Sequence, residues 1–334
     1  IDERLQVDLS EPPEGLSQES PHSKIQNKKL LEKDFILTMC DVKLLGPDAV
    51  GISRDGIILE LTAAGDDTFK THHDTAALAS SIYSGLRAPK RQSTETKCSL
   101  VNNYSSVYYH WIVDILPKIQ GIELYESVTG NNVRIIIPPN PPSWMITSLN
   151  LLGYDSGDWE VWDGGNEHVE SLLIVSRRKH GKIPKYSSIK WLRRKVRHKL
   201  NTHDTSDEFS KRVFVSRRDA DWRRLVNLDR ILDIIEPYGF EEFIPTNHSI
   251  AEQMHTFSEA DFIMGPHGSN LANIVFSSDC VVCEIFGDSP RTADYWILSE
   301  ALNIEYTFLK GTSHGKDIKI NPELVRSKLE KILK

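Results

Sequence analysis

Three polar residues follow a short apolar stretch in the C-terminal half of the chain. Val213–Val215 predicts a buried strand, and Ser216, Arg217 and Arg218 come directly after it. In a parallel sheet, ligands bind beyond the carboxyl ends of the strands, and a guanidinium offers paired hydrogen bonds to phosphate oxygens. Arg223 and Arg224 follow shortly after, and the pattern therefore indicates a diphosphate site. The alternative is a solvated loop in which the arginines pair with nearby aspartates.

A glycine-containing turn lies between a second predicted strand and a predicted helix. Gly265 and Gly268 permit a tight backbone there, and Ser269 or Asn270 can cap the helix. Backbone N–H groups and the positive end of the helix dipole would then face a ligand, which suits an anion. His267 lies in the turn and can donate to a phosphate or a sugar hydroxyl. A purely structural histidine is the alternative.

One carboxylate interrupts the apolar strand predicted over 281–286. Glu284 would be buried there, and a buried carboxylate needs hydrogen-bond partners. The two hydroxyls of a nucleotide ribose would serve, which indicates a role in donor binding. A structural hydrogen bond to a neighbouring loop is the alternative.

The N-terminal half contains its own candidate site. His110 and Asp114 are four residues apart and therefore share one face of a predicted helix. A carboxylate held by an imidazole is suited to removing a proton from a hydroxyl. Tyr109 and Trp111 offer flat surfaces that suit sugar rings. The alternative is an amphipathic helix whose aromatic residues pack in the core.

Strands and helices alternate without interruption in the C-terminal part of the chain. This alternation predicts a parallel sheet covered by helices on both faces. The predicted strands are 212–216, 242–244, 261–265, 281–286 and 306–309, and the predicted helices are 227–238, one opening at the capping box Ser249–Glu252, 269–276 and 292–301.

The N-terminal part is less regular. Short apolar runs and turn signals over 34–62 predict antiparallel strands and hairpins, whereas 63–97 is ambiguous. With the polar linker 201–210 as a boundary, we expect a poorly ordered leader over 1–33, an N-terminal lobe over 34–205 and a C-terminal lobe over 206–334. Helices are predicted at 109–125 and 143–152, a basic helix at 188–200, and strands at 133–137, 160–162 and 171–176.

The composition excludes several classes of protein. The 334 residues carry a net charge of −7, which argues against a dedicated nucleic-acid-binding protein. Four cysteines are too few for a disulfide scaffold, and no apolar run is long enough to span a membrane. Because the sequence begins at Ile1, we expect a preceding segment to carry any targeting signal or peripheral membrane attachment. The expected compartment is the cytoplasm for a prokaryotic protein, which we favour, and the Golgi or ER lumen for a eukaryotic one.

Several of these stretches occur together in one known family. In chain order they are His110-Trp-x-x-Asp114, Ser216-Arg-Arg218, Arg224-x-x-Asn227, Gly265-Pro-His-Gly268, Asn270-Leu-x-Asn273 and Glu284. In this order they resemble glycosyltransferase family 61 over roughly residues 100–310. The resemblance implies an α/β fold of the GT-B type, with two Rossmann-like lobes facing a central cleft. It also implies a nucleotide-sugar donor and inversion at the anomeric carbon.

The residues and the resemblance together assign expected roles. Asp114 is the expected base, His110 orients it or contacts the acceptor, and Tyr109 and Trp111 contact the acceptor. The acceptor is a hydroxyl of a saccharide or glycoconjugate, in polysaccharide or glycan synthesis. The expected donor-binding residues are Ser216, Arg217, Arg218, Arg224, Asn227, His267, Gly268, Ser269, Asn270, Asn273 and Glu284.

The departing diphosphate can be stabilised in two ways. Asp219-Ala-Asp221 has the spacing of a divalent-metal motif, but the positive charges of Arg217 and Arg218 oppose a bound cation. We therefore favour stabilisation by the arginines and the helix terminus at 268–271, with no cofactor required and a metal such as Mn²⁺ left open.

Three other functions are alternatives to sugar transfer. A non-catalytic nucleotide- or glycan-binding protein on the same scaffold is the main alternative, and the presence of Arg217, His267 and Asp114 together counts against it. A Rossmann dehydrogenase requires G-x-G-x-x-G after a strand, and a serine hydrolase requires G-x-S-x-G. The sequence has neither motif.

Overall fold

A computed structural model of the chain describes residues 34–62, 90–180, 183–200, 209–288, 290 and 292–333, with short pieces at 6–8, 28–30, 79, 82–83 and 86. The chain divides into one compact unit over 32–181 and another that joins 182–334 to 1–31. We call them the N-terminal unit and the C-terminal unit. Most of the predicted leader over 1–33 lies outside the described residues, apart from an antiparallel pairing of Gln6–Asp8 with Lys28–Leu30.

The N-terminal unit is built on a six-stranded mixed sheet. Its strands are β1 (Ile36–Leu45), β2 (Val50–Ile52), β3 (Lys90–Ser99), β4 (Arg134–Ile137), β5 (Trp159–Val161) and β6 (Asn166–Val175), and its main helices are α1 (Ile119–Thr129) and α2 (Ser143–Leu151). The strand order is β2-β1-β6-β3-β4-β5. Strand β1 pairs antiparallel with β2 and β6, whereas β6, β3, β4 and β5 are parallel neighbours. The antiparallel pairing predicted within 34–62 is confirmed.

Strand β3 lies mostly within the stretch that the sequence left ambiguous. It is polar and shows no apolar alternation, yet it pairs with β4 on one side and β6 on the other. Lys97 is buried in this central strand because its ammonium lies 2.5 Å from the Glu160 carboxylate and 2.6 Å from that of Glu167. A buried charge is tolerated when hydrogen-bonded countercharges surround it. Tertiary pairing therefore overrides the polar pattern.

The C-terminal unit contains a five-stranded sheet in which every neighbouring pair is parallel. Its strands are β7 (Arg212–Val215), β8 (Phe240–Phe243), β9 (Phe262–Pro266), β10 (Val281–Phe286) and β11 (Glu305–Lys310). Because they stand in the order β8-β7-β9-β10-β11, the chain reverses its direction across the sheet between β7 and β9. Ligands of doubly wound α/β folds bind outside the strand ends at such a switch point. The predicted parallel sheet is confirmed.

The helices of the C-terminal unit are α3 (Tyr186–Leu200), α4 (Leu228–Ile235), α5 (Ile250–Glu259), α6 (Asp294–Leu302) and α7 (Pro322–Ile332), with a 3₁₀ helix over Ser269–Phe276. Helix α4 buries Leu228, Ile231 and Ile235 in the core. Helix α5 opens with the predicted capping box, in which Ser249 Oγ accepts from the N–H of Glu252 at 3.2 Å. Within the described residues, no helix has the length and apolar character needed to cross a membrane.

Helix α3 differs from its predicted place. The sequence assigned it to the N-terminal lobe, but it packs against α5, α6 and the 3₁₀ helix. Its apolar face, with Ile189, Leu192 and Val196, is buried, and Arg193 Nη1 donates to the carbonyl oxygen of Ser277 at 2.6 Å. The C-terminal unit therefore begins at Lys182, before the linker that the sequence favoured as the boundary.

A β-hairpin follows β11 in a segment for which no strand was predicted. It consists of β12 (Thr312–His314) and β13 (Asp317–Lys319), joined through Gly315 with φ of 64°. Both strands are short and polar, so they lack the apolar alternation by which strands are predicted. Ile318, buried on β13, forms a parallel bridge with Leu225 in the loop after β7. This bridge fixes the hairpin beside the switch point.

Candidate functional site

Two loops meet at the switch point between β7 and β9. Ser216 and Arg217 follow β7, and His267 and Gly268 follow β9. An atom added at the Cβ position of Gly268 would overlap the Arg217 guanidinium, so the arginine lies directly on the glycine backbone. The backbone of Gly268 is extended, with φ of −179°, so the close approach requires the missing side chain and not a special conformation. The structure thus brings Arg217 and the histidine-bearing turn together.

Arg217 is anchored by the loop that follows it. Its Nε and Nη2 donate to the carbonyl oxygen of Trp222 at 3.2 and 3.0 Å, and Nη1 lies against Gly268. Burial lowers the pKa of Arg217, and the positive charge of Arg223 lowers it further. A guanidinium nevertheless stays protonated in proteins. A partly buried cation beside a second cation favours an anionic ligand.

Arg218 points away from this site. Its Nε and Nη2 donate to the Glu242 carboxylate on β8 at 3.1 and 3.3 Å, and Nη2 also donates to Asp229 at 2.9 Å. Successive residues at the end of a strand point in opposite directions, which separates the two guanidiniums. The expectation that Arg217 and Arg218 converge on one diphosphate is therefore corrected. Arg218 takes the carboxylate-paired alternative, with partners other than the aspartates nearest in sequence.

A buried carboxylate on β10 holds His267. Glu284 is fully buried; one oxygen accepts from His267 Nδ1 and the other accepts from the Tyr306 hydroxyl at 2.6 Å. Burial raises the pKa of Tyr306, and the charge of Glu284 raises it further, so the tyrosine stays a donor. Glu284 has no surface for a ribose, which corrects its expected role. It instead fixes the imidazole through Nδ1, and His267 lines the cavity beside it.

A cavity of about 470 Å³ opens beside these groups. This volume falls within the range of small-molecule sites in proteins. The loop after β7, the ends of β9 and β10 and the β12–β13 hairpin all contribute to its wall. Its lining includes Trp222, Arg223, His267, Phe286, Lys316 and Asp317.

Two residues of this wall, Trp222 and Lys316, were not predicted from the sequence, and Arg223 was indicated only as one member of an arginine-rich stretch. Trp222 is 59% exposed, which is unusual for a large apolar side chain. Arg223 has φ of 58°, a left-handed conformation that costs a residue other than glycine roughly 1–3 kcal/mol and that clusters at functional sites. Lys316 follows the glycine of a hairpin that the sequence did not predict. The four arginines between 217 and 224 were the available signal, but only the structure distinguishes their directions.

Several predicted donor-binding residues have structural contacts instead. Asn227 clamps the backbone of Ile320, donating to its carbonyl at 2.8 Å and accepting from its N–H at 3.3 Å. Asn273 is fully buried and donates to Gln253 at 3.1 Å. Arg224 forms an ion pair with Asp317 at 2.7 Å.

The predicted capping residues are also placed differently. Gly268 is the N-cap of the 3₁₀ helix, so Ser269 and Asn270 are its first two residues and neither caps it. Both are half-buried. Ser216 is fully buried, and its Oγ accepts from the N–H of Arg218 at 3.2 Å. Gly268 is the residue of this group whose backbone lies against the Arg217 guanidinium.

The N-terminal unit holds the His110–Asp114 pair. His110 Nδ1 lies 2.7 Å from Asp114 Oδ2, and both side chains keep some exposure to solvent. Two tyrosine rings flank His110: the ring centroid of Tyr104 lies 5.0 Å from that of His110 in a tilted arrangement, and that of Tyr109 lies 5.3 Å away, edge to face. The predicted sharing of one helix face is thus present as a direct contact.

Trp111 belongs to the core. It is fully buried, and its Nε1 donates to Ser148 Oγ on α2 at 2.9 Å. A residue without exposed surface cannot contact an acceptor, so its expected role is corrected. The core packing weighed as the alternative applies to Trp111.

The helix that carries the pair contains a π turn. Helical residues run from Tyr108 to Thr129, and the Leu116 N–H donates to the carbonyl of Trp111, five residues back, over Trp111–Ile115. Pro117 lacks the N–H that an α-helix needs at that point, which favours the irregular turn before it. Such turns occur often at functional sites, and Asp114 lies within this one.

The described residues contain no group of three or more His, Cys, Asp or Glu side chains arranged to hold a metal ion. Of the Asp-x-Asp pair, Asp219 accepts a hydrogen bond from the Thr246 hydroxyl, and Asp221 is exposed.

Comparison with known proteins adds a family. The model of the family described as Glycosyltransferase 61 matches residues 108–283, more than half of the chain, and includes His110, Asp114, Arg217 and His267. The comparison with curated proteins returned no significant match. A solved structure, the dodecameric iron-containing heptosyltransferase TibC in complex with ADP-D-beta-D-heptose, matches at 9% identity over 68% of this chain, with a TM-score of 0.29. This chain spans 64% of that protein's length, and a TM-score this low does not establish a shared fold.

The family match covers the residues that carry the sequence resemblance from the His110–Asp114 pair to Asn273, and it ends one residue before Glu284. On this evidence the chain belongs to glycosyltransferase family 61.

Proposed function

We propose that this glycosyltransferase moves a sugar from a nucleoside-diphosphate donor, with a UDP-sugar favoured, to a hydroxyl of a saccharide or glycoconjugate in polysaccharide or glycan synthesis. The observation that carries the proposal is the contact of Arg217 with Gly268 beside a cavity of about 470 Å³ that His267 lines. A diphosphate matches the charge of these groups, and exposed Trp222 offers an aromatic face to a base or sugar.

The donor side of the reaction requires a way to accept negative charge. As the bond between the anomeric carbon and the diphosphate oxygen breaks, Arg217 and His267 stabilise the charge that develops on the leaving group. The Trp222 carbonyl already holds Arg217, and Glu284 already holds His267. Preorganised donors of this kind lower the barrier because they need not reorient during the reaction.

The acceptor side requires a base. In this proposal the acceptor oxygen attacks the anomeric carbon from the face opposite the diphosphate, which inverts the configuration, and its proton passes to Asp114. His110 orients that carboxylate through the 2.7 Å contact. The same proposal includes the GT-B arrangement that the family resemblance implies, in which one unit serves the acceptor and the other serves the donor.

The first test is nucleotide binding. Thermal-shift screening followed by calorimetry with UDP, GDP, CMP and their sugars, with and without Mn²⁺, is expected to identify one nucleoside diphosphate that binds the wild type. Gly268→Ala should weaken its binding at least about tenfold, because the added methyl displaces the Arg217 guanidinium. Gly157→Ala is the matched control, since its methyl would meet only the movable side chain of Asp155.

Two results would reject the proposal. One is the absence of binding by every nucleoside diphosphate tested, and the other is unchanged affinity in Gly268→Ala. A thermal shift that appears only with Mn²⁺ would indicate that a metal ion, and not the arginine, stabilises the leaving group. Product analysis by NMR tests inversion separately, because retention of the anomeric configuration would exclude the direct displacement.

A further inference from the structure

A second arginine reaches the cavity from a strained part of the loop after β7. We infer that Arg223 is the second diphosphate-binding cation of the donor site, and that the ion pair between Arg224 and Asp317 is the contact that positions it. This inference rests on the proposed nucleoside-diphosphate donor. It gives Arg223, which belongs to the arginine-rich stretch that the sequence indicated, the role expected of Arg218.

The location of Arg223 supports a role in binding an anion. It lines the cavity together with His267 and Lys316. It also lies close enough to Arg217 for its charge to lower the pKa of that arginine. Two guanidiniums at short range repel each other, and an anion between them removes that repulsion. A diphosphate is long enough to meet both cations and the histidine.

The backbone of Arg223 is held on both sides. The carbonyl oxygen of Trp222, just before it, accepts two hydrogen bonds from Arg217. Its own N–H donates to the carbonyl of Lys316 at 2.8 Å. With these neighbours fixed, Arg223 adopts φ of 58°, a conformation that residues other than glycine avoid unless the surroundings impose it.

The Arg224–Asp317 pair joins the residue after Arg223 to the β12–β13 hairpin. Arg224 donates to Asp317 Oδ2 from Nη2 at 2.7 Å and from Nε at 3.2 Å, and its backbone N–H donates to Oδ1 at 3.1 Å. The backbone continues the attachment, because the Ile318 N–H donates to the Arg224 carbonyl at 2.8 Å. One carboxylate therefore fastens the loop of Arg223 to the hairpin that carries Lys316.

Losing this pair should release the loop without removing any cation from the cavity wall. Arg223 would then relax toward a conformation with negative φ, which redirects its side chain. Asp317 therefore acts through Arg223 as a positioning residue. This predicts that removal of Asp317 matters only while Arg223 is present, which a double-mutant cycle measures directly.

The test is calorimetric binding of UDP to the wild type, Arg223→Gly, Asp317→Asn and the double variant. Glycine is used at 223 because it accepts positive φ, so the guanidinium is lost without backbone strain. We expect Arg223→Gly to weaken UDP binding at least about tenfold and Asp317→Asn about fivefold. In the Arg223→Gly background, Asp317→Asn should change the affinity by less than about twofold.

Additive losses in the cycle would overturn the inference, because Asp317 would then act independently of Arg223. Unchanged affinity in Arg223→Gly would overturn it as well. If the wild type binds no nucleoside diphosphate, the proposed donor fails and this inference fails with it; wild-type binding with an additive cycle rejects the inference alone. Glu259→Gln, which breaks the exposed ion pair with Lys211 at 2.9 Å in the same unit, is the control and should bind UDP normally.

Discussion

The direction in which each guanidinium points determines which arginines can contact a sugar donor. Arg217 and Arg218 are adjacent in sequence and chemically identical, yet one lies on Gly268 and the other pairs with Glu242 and Asp229. Exposed ion pairs of the second kind contribute little to stability and keep a cation occupied. Glu284 is likewise engaged by another side chain, since it accepts a hydrogen bond from His267.

The two arginines provide a matched comparison. Arg217→Gln should weaken nucleoside-diphosphate binding at least about tenfold, because it removes a partly buried charged donor. Arg218→Gln should change the affinity by less than about twofold, because its guanidinium is engaged on the other side of β7. Calorimetry on the two purified variants checks both values. Equal losses would show that the two guanidiniums reach one ligand after all.

The helical segment that carries the His110–Asp114 pair is the informative element of the N-terminal unit. Its π turn follows from Pro117, and its buried face is anchored by Trp111, whose Nε1 donates to Ser148. A rigid anchor beside the pair matters because a displacement of about 1 Å at a reacting group is costly to catalysis. We therefore regard Trp111 as support for Asp114.

Stability measurements distinguish this support from acceptor binding. Trp111→Ala should lower the free energy of unfolding by about 3–5 kcal/mol, because it leaves a large cavity and removes the hydrogen bond to Ser148. Tyr109→Ala, at a half-buried position, should cost about 1 kcal/mol. Urea unfolding followed by circular dichroism gives both values. A small loss for Trp111→Ala would return that residue to the list of acceptor contacts.

The stabilisation that comes from attaching the hairpin to the loop after β7 should depend on pH. The hydrogen bond from Arg224 lowers the pKa of Asp317 below its ordinary value of 3.8. Because the folded-state pKa is the lower one, the stabilisation is present above the unfolded-state pKa and is lost as the pH falls through the folded-state value. The stability difference between the wild type and Asp317→Asn should therefore be constant near neutral pH and shrink below about pH 4.

Urea unfolding between pH 3 and pH 6 checks this dependence, and salt should reduce it because Arg224 is exposed. Arg224→Gln supplies the control background, in which most of the pH dependence of the Asp317→Asn difference should disappear. A stability difference that persists at pH 3 would mean that Asp317 stabilises the protein through something other than its charge.

The whole molecule separates the proposed roles between two compact units. Arg217, His267 and the cavity belong to the C-terminal unit, and His110 with Asp114 belong to the N-terminal unit. Changes to the first group should therefore weaken nucleotide binding, whereas changes to the second should lower turnover and leave nucleotide binding intact. The family match spans residues from both units, as this division of roles requires.

Asp114→Asn tests the division. Loss of the base should reduce kcat by roughly 10²–10⁴-fold, the usual contribution of general-base catalysis, while the affinity for the nucleoside diphosphate stays within about twofold. Steady-state kinetics and calorimetry on the same preparation separate the two effects. Turnover near the wild-type value would remove Asp114 from the mechanism, and a parallel loss of nucleotide affinity would contradict the separation of roles.

The parallel C-terminal sheet, the capping box at Ser249 and the antiparallel pairing at the start of the N-terminal unit could all be predicted from the sequence. These features depend on local periodicity and turn chemistry, which a single chain displays directly. The family rests instead on the resemblance of several motifs that occur in one order. The places of Arg217 and His267 after strands, and of His110 and Asp114 on one helix face, follow from the predicted elements.

The contacts between neighbouring side chains could not be predicted from the sequence and are seen in the tertiary structure. The opposite directions of Arg217 and Arg218, the burial of Glu284 and Trp111, and the strained Arg223 all depend on contacts between segments far apart in sequence. Strand β3 and the β12–β13 hairpin were missed for the same reason. Their polar residues form strands because of the partners they pair with, and the identity of those partners is not present in the local pattern.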